Sequence, residues 1–540
     1  MNESKPAQAT PNATAHIGPW TPLKQPVFRM LWGVWVTANA CMWMNDVAAA
    51  WMMTSLSSSP LMVALVQSAS TLPVLLLGLP SGALADIVDR RRYFMVTQIW
   101  VAAVALLLCA VVSMGAMTAP LLLALTFANG IGLAMRWPVF AAIVPELVPR
   151  PQLAAALALN GIAMNASRII GPVIAGAIIA SAGSAYVFAL NALLSVAAAF
   201  VIRRWKREQK VSALPGERFI GAMRVGMQYV WQSRPMHSIL LQVALFFLQA
   251  TALLGLLPLV AKGLRGGDAG TFTLLLASMG AGAIGAAMFL PRLRRAFRSD
   301  ALVIYGTVLQ AAAMLVVSVA PTAAVAAPAM MVAGAAWLTV ANSLMVSAQM
   351  ALPDWVRARG MSIFQMALMG SSAAGAALWG LVATWTDVRT SLISAAVFGL
   401  ACAVLTRRFL PAPGADEDLT PTQFARPAGT EIDLDLREGP VLVTIDYLID
   451  PARTDEFLQV MQESRRNRLL HGMLSWGLFR DAADSRRFIE HYVDESWVEH
   501  LRHFERMTAF DVALRERRLS FHVGASPPLV SRYIAQALRR

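Results

Sequence analysis

Apolar and polar positions along this chain change over on the scale of a membrane thickness. Between about residues 27 and 410, long uncharged runs follow one another, separated by short polar joints. A helix needs ~20 mostly apolar residues to cross ~30 Å of hydrocarbon. Twelve runs meet that length, starting near residues 28, 60, 93, 119, 152, 184, 238, 269, 301, 322, 356 and 388. Beyond residue 410 the pattern changes. "PAPGADEDLTPTQFARPAG" (411–429) is a Pro/Gly/acidic linker. After it, "PVLVTIDYLI" (440–449) alternates as a strand, and "TDEFLQVMQESRRNRLL" (454–470) carries the helical period. "MLSWGLFRD" and "RRFIEHYVD" predict two more strands, and 496–519 one or two helices. The order βαββα predicts an α+β domain of ferredoxin-like type.

Composition agrees with this division. The chain has 540 residues, 57% hydrophobic and 14% charged, against roughly 25% charged in a soluble domain. The expected architecture is an all-α polytopic membrane protein with a C-terminal cytoplasmic α+β domain. The head "MNESKPAQATPNATAHIGPW" has no apolar core followed by a cleavage site, so no cleaved signal peptide is expected. Cys41, Cys109 and Cys402 fall inside spans without disulfide or metal spacing and read as small core residues.

The net charge of +13 is explained by topology, and no nucleic-acid partner is implied. With the N-terminus inside, the loops on that side carry eighteen Lys and Arg and the opposite loops three. That is the positive-inside asymmetry, and it places both termini in the cytoplasm.

An internal repeat organises the spans. "VPELVPRPQ" (144–152) and "LPDWVRARG" (352–360) share a pattern at an offset of 208, and "PVFRMLWGV" (26–34) aligns with "PMHSILLQV" (235–243) near the same offset. Two six-span halves follow, a transporter architecture with the substrate site near the midplane between them. The expected divisions are a tail 1–26, a first half 27–203, a linker 204–237, a second half 238–410, a linker 411–437, the α+β domain 438–525 and a tail 526–540. Within the first linker, "ERFIGAMRVGMQYVWQS" (217–233) predicts an amphipathic helix on the cytoplasmic membrane surface. Small residues at short spacing in 171–183, 278–287 and 369–380 mark close helix contacts.

Ionisable side chains inside spans are functional candidates, because each costs ~2.5–3.5 kcal/mol at a helix centre. Asp46 is the one carboxylate well inside a span, and Arg136 and Arg168 are the deep cations; Asn39, Asn45, Asn160 and Asn165 lie on the same helices as Asp46 and Arg168. At ~1.5 Å rise per residue, Asp46 and Arg168 lie at similar depths, ~27 and ~24 Å in, and could pair. Asp46 is therefore the expected proton carrier, with a static ion pair or a hydrated surface carboxylate as the other readings. No GxxxxGK[ST] stretch occurs, which leaves nothing to imply ATP.

"GALADIVDRRR" (82–92) and "IIGPVIAG" (169–176) resemble the signatures of the major facilitator superfamily. "VPELVPRPQLAAALALN", "LPDWVRARGMSIFQM" and "ESWVEHLRHFERMT" are similar to its enterobactin-exporter-like branch, the transmembrane secretion effectors, over about residues 20–525. The resemblance implies the twelve-helix major facilitator fold and a proton-driven exporter working by alternating access in the bacterial inner membrane. It implies a gating motif of Gly82, Asp86, Arg90, Arg91 and Arg92, with Gly82 allowing close helix contact and Asp86 latching to the start of span 11. Glu146 is the expected partner of Arg90 or Arg91, and Gly171, Pro172 and Gly176 form the span-5 motif. Ile87 and Asp89 stand where the family has Arg and Gly. The appended module resembles dimeric α+β barrels, which implies dimerisation through it.

Two functions remain open. One is a carrier for a small siderophore- or drug-like solute, with bilayer, protons and solute as partners and no cofactor. The other is an enzyme or ligand sensor in the C-terminal module, where His471, His491, His500, His503 and His522 all fall. His500 and His503 share a helix face, and solvated or dimer-interface roles are expected for them in preference to metal binding.

Overall fold

The computed structural model describes residues 20–205, 219–409, 418–422 and 438–536. The expected N-terminal tail up to residue 19 and the linker segments 206–218, 410–417 and 423–437 lie outside the described residues.

Twelve long helices form the bulk of the described residues. The first six are α1 (Pro26–Leu56), α2 (Pro60–Ile87), α3 (Arg90–Ser113), α4 (Ala119–Leu147), α5 (Leu153–Ser181) and α6 (Ser184–Arg204). A shorter helix, α7 (Phe219–Gln232), precedes the second six. These are α8 (Arg234–Gly263), α9 (Ala269–Ala296), α10 (Ser299–Val319), α11 (Ala323–Met350), α12 (Asp354–Trp385) and α13 (Val388–Phe409). Eleven of the twelve have a stretch long and apolar enough to cross a membrane. The other is α1, whose 31 residues are interrupted by Arg29, Asn39, Asn45, Asp46 and several hydroxyls. Proline in the first turn of α1, α2, α4 and α8 pre-sets the helical φ where no backbone donor is needed.

The two halves are built alike. In the first, α1 packs on α5 and α6, α3 on α4 and α6, and α2 on α4. In the second, α8 packs on α12 and α13, α10 on α11 and α13, and α9 on α11. This is the same set of neighbours, shifted by one six-helix unit. Across the boundary α2 meets α12 and α5 meets α9, which is also a reciprocal pair under that shift.

The apolar cores are not distributed evenly. At the side away from the chain's N-terminal helix start (the far side), one continuous core takes residues from both halves, including Met44, Met53, Val63, Leu256, Met330 and Trp379. At the near side, each half has its own core. Phe28, Trp35, Phe140 and Ile202 belong to one, and Met236, Phe247, Leu344 and Phe364 to the other.

The appended domain has strands β1 (Val441–Leu448), β2 (Ser475–Arg480), β3 (Arg487–Asp494) and β4 (Leu529–Ile534), with helices α14 (Thr454–Leu470), α15 (Trp497–Glu505) and α16 (Ala509–Leu519). The antiparallel sheet runs β2-β3-β1-β4. β4 falls in the stretch expected as a tail. It pairs with β1 along 441–446, and its short, largely exposed pattern carries no alternation to announce it.

The helix expected to lie on the membrane surface is present as α7, but it is clasped between α12 and the appended domain. Gln228 Nε2 donates to the Met473 carbonyl at 3.0 Å, Arg466 Nε to the Gln232 carbonyl at 3.0 Å, and Arg224 pairs with Glu495 at 2.6 Å. Arg224 and Gln228 thus bond to the appended domain and Val225, Tyr229 and Val230 are buried, while Met227 and Trp231 stay exposed.

Candidate functional site

Several intramembrane polar residues gather around α1. Arg136 of α4 is 3% exposed and donates to the Ala38 carbonyl at 3.2 Å, with its guanidinium 5.7 Å from the Trp35 ring. Its Nε and Nη2 have no partner among the described residues. Asn39 donates to the Trp35 carbonyl at 2.7 Å, and Asn45 accepts a long bond of 3.4 Å from Asn191 of α6. Ser167 of α5 donates to the Val36 carbonyl at 3.1 Å.

Arg168 does not pair with Asp46. Its guanidinium stacks 3.5 Å from the Trp337 ring of α11 and lies 5.7 Å from the Trp43 ring of α1, so it bridges the two halves. Equal depth fixed the height of the two groups; the rotation of α1 and α5 about their axes carries them apart. Asp46 is half-buried and has no hydrogen bond or ion pair among the described residues. The Asn165 side chain lies outside the described residues. Trp337 had no local signal beyond being one bulky aromatic in an Ala/Val-rich run.

The span-5 motif explains how Arg168 reaches that position. A Cβ on Gly171 would lie 2.7 Å from Trp43 Cβ, so glycine there lets α5 close on α1 one turn beyond Arg168. A Cβ on Gly176 would collide with Thr273 of α9. Gly171 therefore seats α5 in its own half, and Gly176 seats it against the other. Pro172 lies inside α5 between them.

In the gating motif, Arg90 Nη1 sits 2.7 Å from Glu146 Oε1. Arg91 donates to the Arg203 carbonyl at the end of α6, and Arg92 is exposed. Asp89, in place of the family's glycine, caps α3 by accepting the Arg92 N–H at 2.8 Å, so a side-chain cap replaces a glycine turn. Among the described residues no atom lies within 4 Å of a Cβ placed on Gly82. The Asp86 side chain lies outside the described residues.

The appended domain holds a second polar cluster, and its histidines are not solvated. His500 is fully buried, with Nδ1 2.8 Å from Asp494 Oδ2, and His503 is buried against Arg468 at 3.3 Å. His471 Nε2 is 3.0 Å from Asp511. The α15 face that carries both histidines packs inward on the sheet, which removes them from solvent. At its centre Glu490 accepts from Arg468 at 3.1 Å, Trp476 at 3.0 Å, Tyr447 at 3.0 Å and Arg518 at 3.2 Å. Burial alone would push the Glu490 carboxyl up, but Arg468 and Arg518 outweigh it and hold the group at about 2. Burial, reinforced by nearby His471 and Arg468, pushes His503 well below the usual imidazole range. Among the described residues no group of three or more His, Cys, Asp and Glu is arranged to hold a metal.

This domain touches the membrane helices at Trp355, the second residue of α12. The His471 ring stacks on Trp355 at 5.6 Å, the Arg506 guanidinium lies 5.0 Å away, and Tyr229 of α7 meets it edge-on at 5.8 Å.

Comparison with known proteins agrees with this architecture. A staphyloferrin A transporter of Staphylococcus aureus (strain NCTC 8325 / PS 47) is 27% identical over 139 residues, which is 26% of this chain and 35% of that protein. Among solved structures, a nucleoside transporter superposes with a TM-score of 0.59 at 13% identity, covering 70% of this chain and 99% of its own. A bacterial homologue of the human lysosomal transporter Spinster, inward-facing and unoccupied, gives 0.56 at 14%, covering 73% and 99%. A D-xylose–proton symporter gives 0.55 at 15%, covering 72% and 99%. At these identities the likeness shows the fold. A family model described as transmembrane secretion effector matches residues 17–540. The chain belongs to the transmembrane secretion effector family of the major facilitator superfamily and is an integral membrane transporter.

Proposed function

We propose that this transporter is a proton-coupled exporter of a small siderophore- or drug-like molecule, working by alternating access with twelve spans in the bacterial inner membrane. The observation that carries this reading is the asymmetry of the cores. One apolar core ties the halves at the far side, while each half keeps its own at the near side. A carrier whose halves rock about a central site needs one closed end and one that can part. In this reading the near side, and with it both termini, faces the cytoplasm, which the excess of Lys and Arg in the loops on that side supports. The staphyloferrin A transporter likeness favours a siderophore-like cargo.

In this reading Asp46 takes up and releases the proton, since it is an intramembrane carboxylate with no fixed partner among the described residues. Asn39, Asn45, Arg136 and Arg168 set the field around it. Gly82, Asp86, Arg90, Arg91, Arg92 and Glu146 form the near-side gate, and Gly171, Pro172 and Gly176 form the sliding seam of α5. The element order β1-α14-β2-β3-α15-α16-β4 supports reading the appended domain as ferredoxin-like, and its open sheet face, with Phe479 and Tyr533 exposed, is where a second copy would dock. No catalytic step and no cofactor enters this reading.

The test is an efflux panel in a pump-deficient host, run with and without a proton uncoupler, comparing the wild-type chain with Asp46→Asn. Export that the uncoupler abolishes and that Asp46→Asn uncouples is expected. Coupled export unchanged in Asp46→Asn removes that residue from the mechanism.

A second reading is supported by the grip on Trp355. A domain that holds the start of α12 with His471 and Arg506 is placed to sense a cytoplasmic signal and modulate transport.

A further inference from the structure

We infer that the cargo is an organic anion, a carboxylate in the simplest case, and that Arg168 is the group that recognises it. This inference rests on the transport reading above and narrows it to a substrate class. Arg168 is half-buried at the boundary of the halves, between Trp43 on one and Trp337 on the other. Stacking on Trp337 covers the face of the guanidinium and leaves its N–H donors around the edge. Those donors have no hydrogen bond or ion pair among the described residues. An edge of in-plane donors with a covered face matches a carboxylate, which accepts two parallel bonds in that plane.

Three further observations point the same way. Arg136 adds a second guanidinium beside α1; it is only 3% exposed, with Nε and Nη2 unpartnered among the described residues. Trp35 and Trp43, the rings the two arginines approach, are eight residues apart on α1, a separation of ~12 Å along the helix. Asp46, the carboxylate of α1, pairs with neither cation among the described residues. Among the described residues Arg168 is thus a cation without a paired acid at the boundary of the halves, which attracts an anion and repels a cation. Trp43 Nε1, on the ring beside Arg168, is also buried without a partner among the described residues, leaving a polar atom for a neutral part of the cargo. The two indoles give an apolar wall for the rest of it.

The experiment uses inside-out vesicles carrying the full chain, in which export appears as uptake. The probes are radiolabelled benzoate, salicylate and citrate, each against its amide or methyl ester, together with ethidium as a cationic dye. Uptake of the acids with amides and esters at background is expected. Arg168→Gln is expected to lower acid uptake by about tenfold or more, the scale of one lost charge-assisted pair, and Arg168→Lys to restore part of it. Amides or esters carried as fast as the acids, or acid uptake unchanged in Arg168→Gln, overturns the inference. Uncoupler-sensitive ethidium transport without acid transport overturns the anion assignment and leaves the transport reading standing. If the inserted chain moves none of these probes, both fall. Should Arg168→Gln fail to insert, the thermal shift of the purified wild-type chain decides. A shift with the acids and none with the amides supports Arg168 recognition, and equal shifts overturn it.

Discussion

Glu490 is fully buried, yet one carboxylate there ties together five elements: its own strand β3, Tyr447 on β1, Trp476 on β2, Arg468 on α14 and Arg518 on α16. Removing one partner from a buried charge network leaves the others uncompensated, which costs about 3–5 kcal/mol. Glu490→Gln, which keeps the shape and removes the charge, is therefore expected to destabilise the appended domain by that amount while the membrane helices stay inserted. The sign of the pH dependence follows from the same contacts. The folded carboxyl sits at about 2 against an ordinary 4.5, so the unfolded domain binds the extra proton between those values. The Glu490 contribution is complete above pH 4.5 and is lost as the pH falls toward 2. Urea unfolding of the full chain, followed by proteolysis of the appended domain at stepped pH, reads both effects. A Glu490→Gln domain as stable as the wild type at neutral pH would show that the arginines find other partners.

At the scale of elements, α7 is the hinge between membrane and appendage. It buries Val225, Tyr229 and Val230, packs on α12 and α14, and with the domain encloses Trp355. Deleting residues 430–540 takes away both partners of Trp355 on that side and exposes the apolar face of α7. Transport is expected to fall severalfold with the truncated chain still inserted; full transport would make the domain accessory. The elements themselves were largely legible in the sequence. Expected starts at 28, 60 and 388 are found at Pro26, Pro60 and Val388, because a span is defined by a local property, apolar length. What escaped depends on partners far along the chain. β4 exists through its pairing with β1, at the opposite end of the domain's sequence, and the histidines of α15 are dry because Asp494 and Arg468 wait for them. In the membrane, residue spacing set the depth of Asp46 and Arg168 but not the rotation of their helices, and so it missed Trp337.

For the whole molecule, the decisive property is how the halves can part. They meet through α2 on α12 and α5 on α9, seams related by the repeat. Small residues line both, including Gly176 against Thr273 and Gly380 against Ala64 and Leu61. Small residues of this kind let the helix backbones approach closely, and few side chains lock the α2–α12 seam, among them Ser68, whose Oγ donates to the Ala373 carbonyl at 2.7 Å. At the far end of the α2–α12 seam, the Leu61 N–H donates to Thr384 Oγ1 at 3.1 Å, and the shared core lies beneath it. Alternating access requires this end to open once per cycle. A disulfide between Leu61→Cys and Thr384→Cys, in a chain whose Cys41, Cys109 and Cys402 are replaced by alanine, holds it shut. Oxidation is expected to stop export, and a reductant to restore it, while the gel mobility of the chain reports the cross-link. A wire-like path through rigid halves predicts the reverse: export continuing at full rate in the cross-linked protein. Because the cross-linked pair includes neither Arg168 nor Asp46, loss of export on oxidation with recovery on reduction reports the motion of the halves.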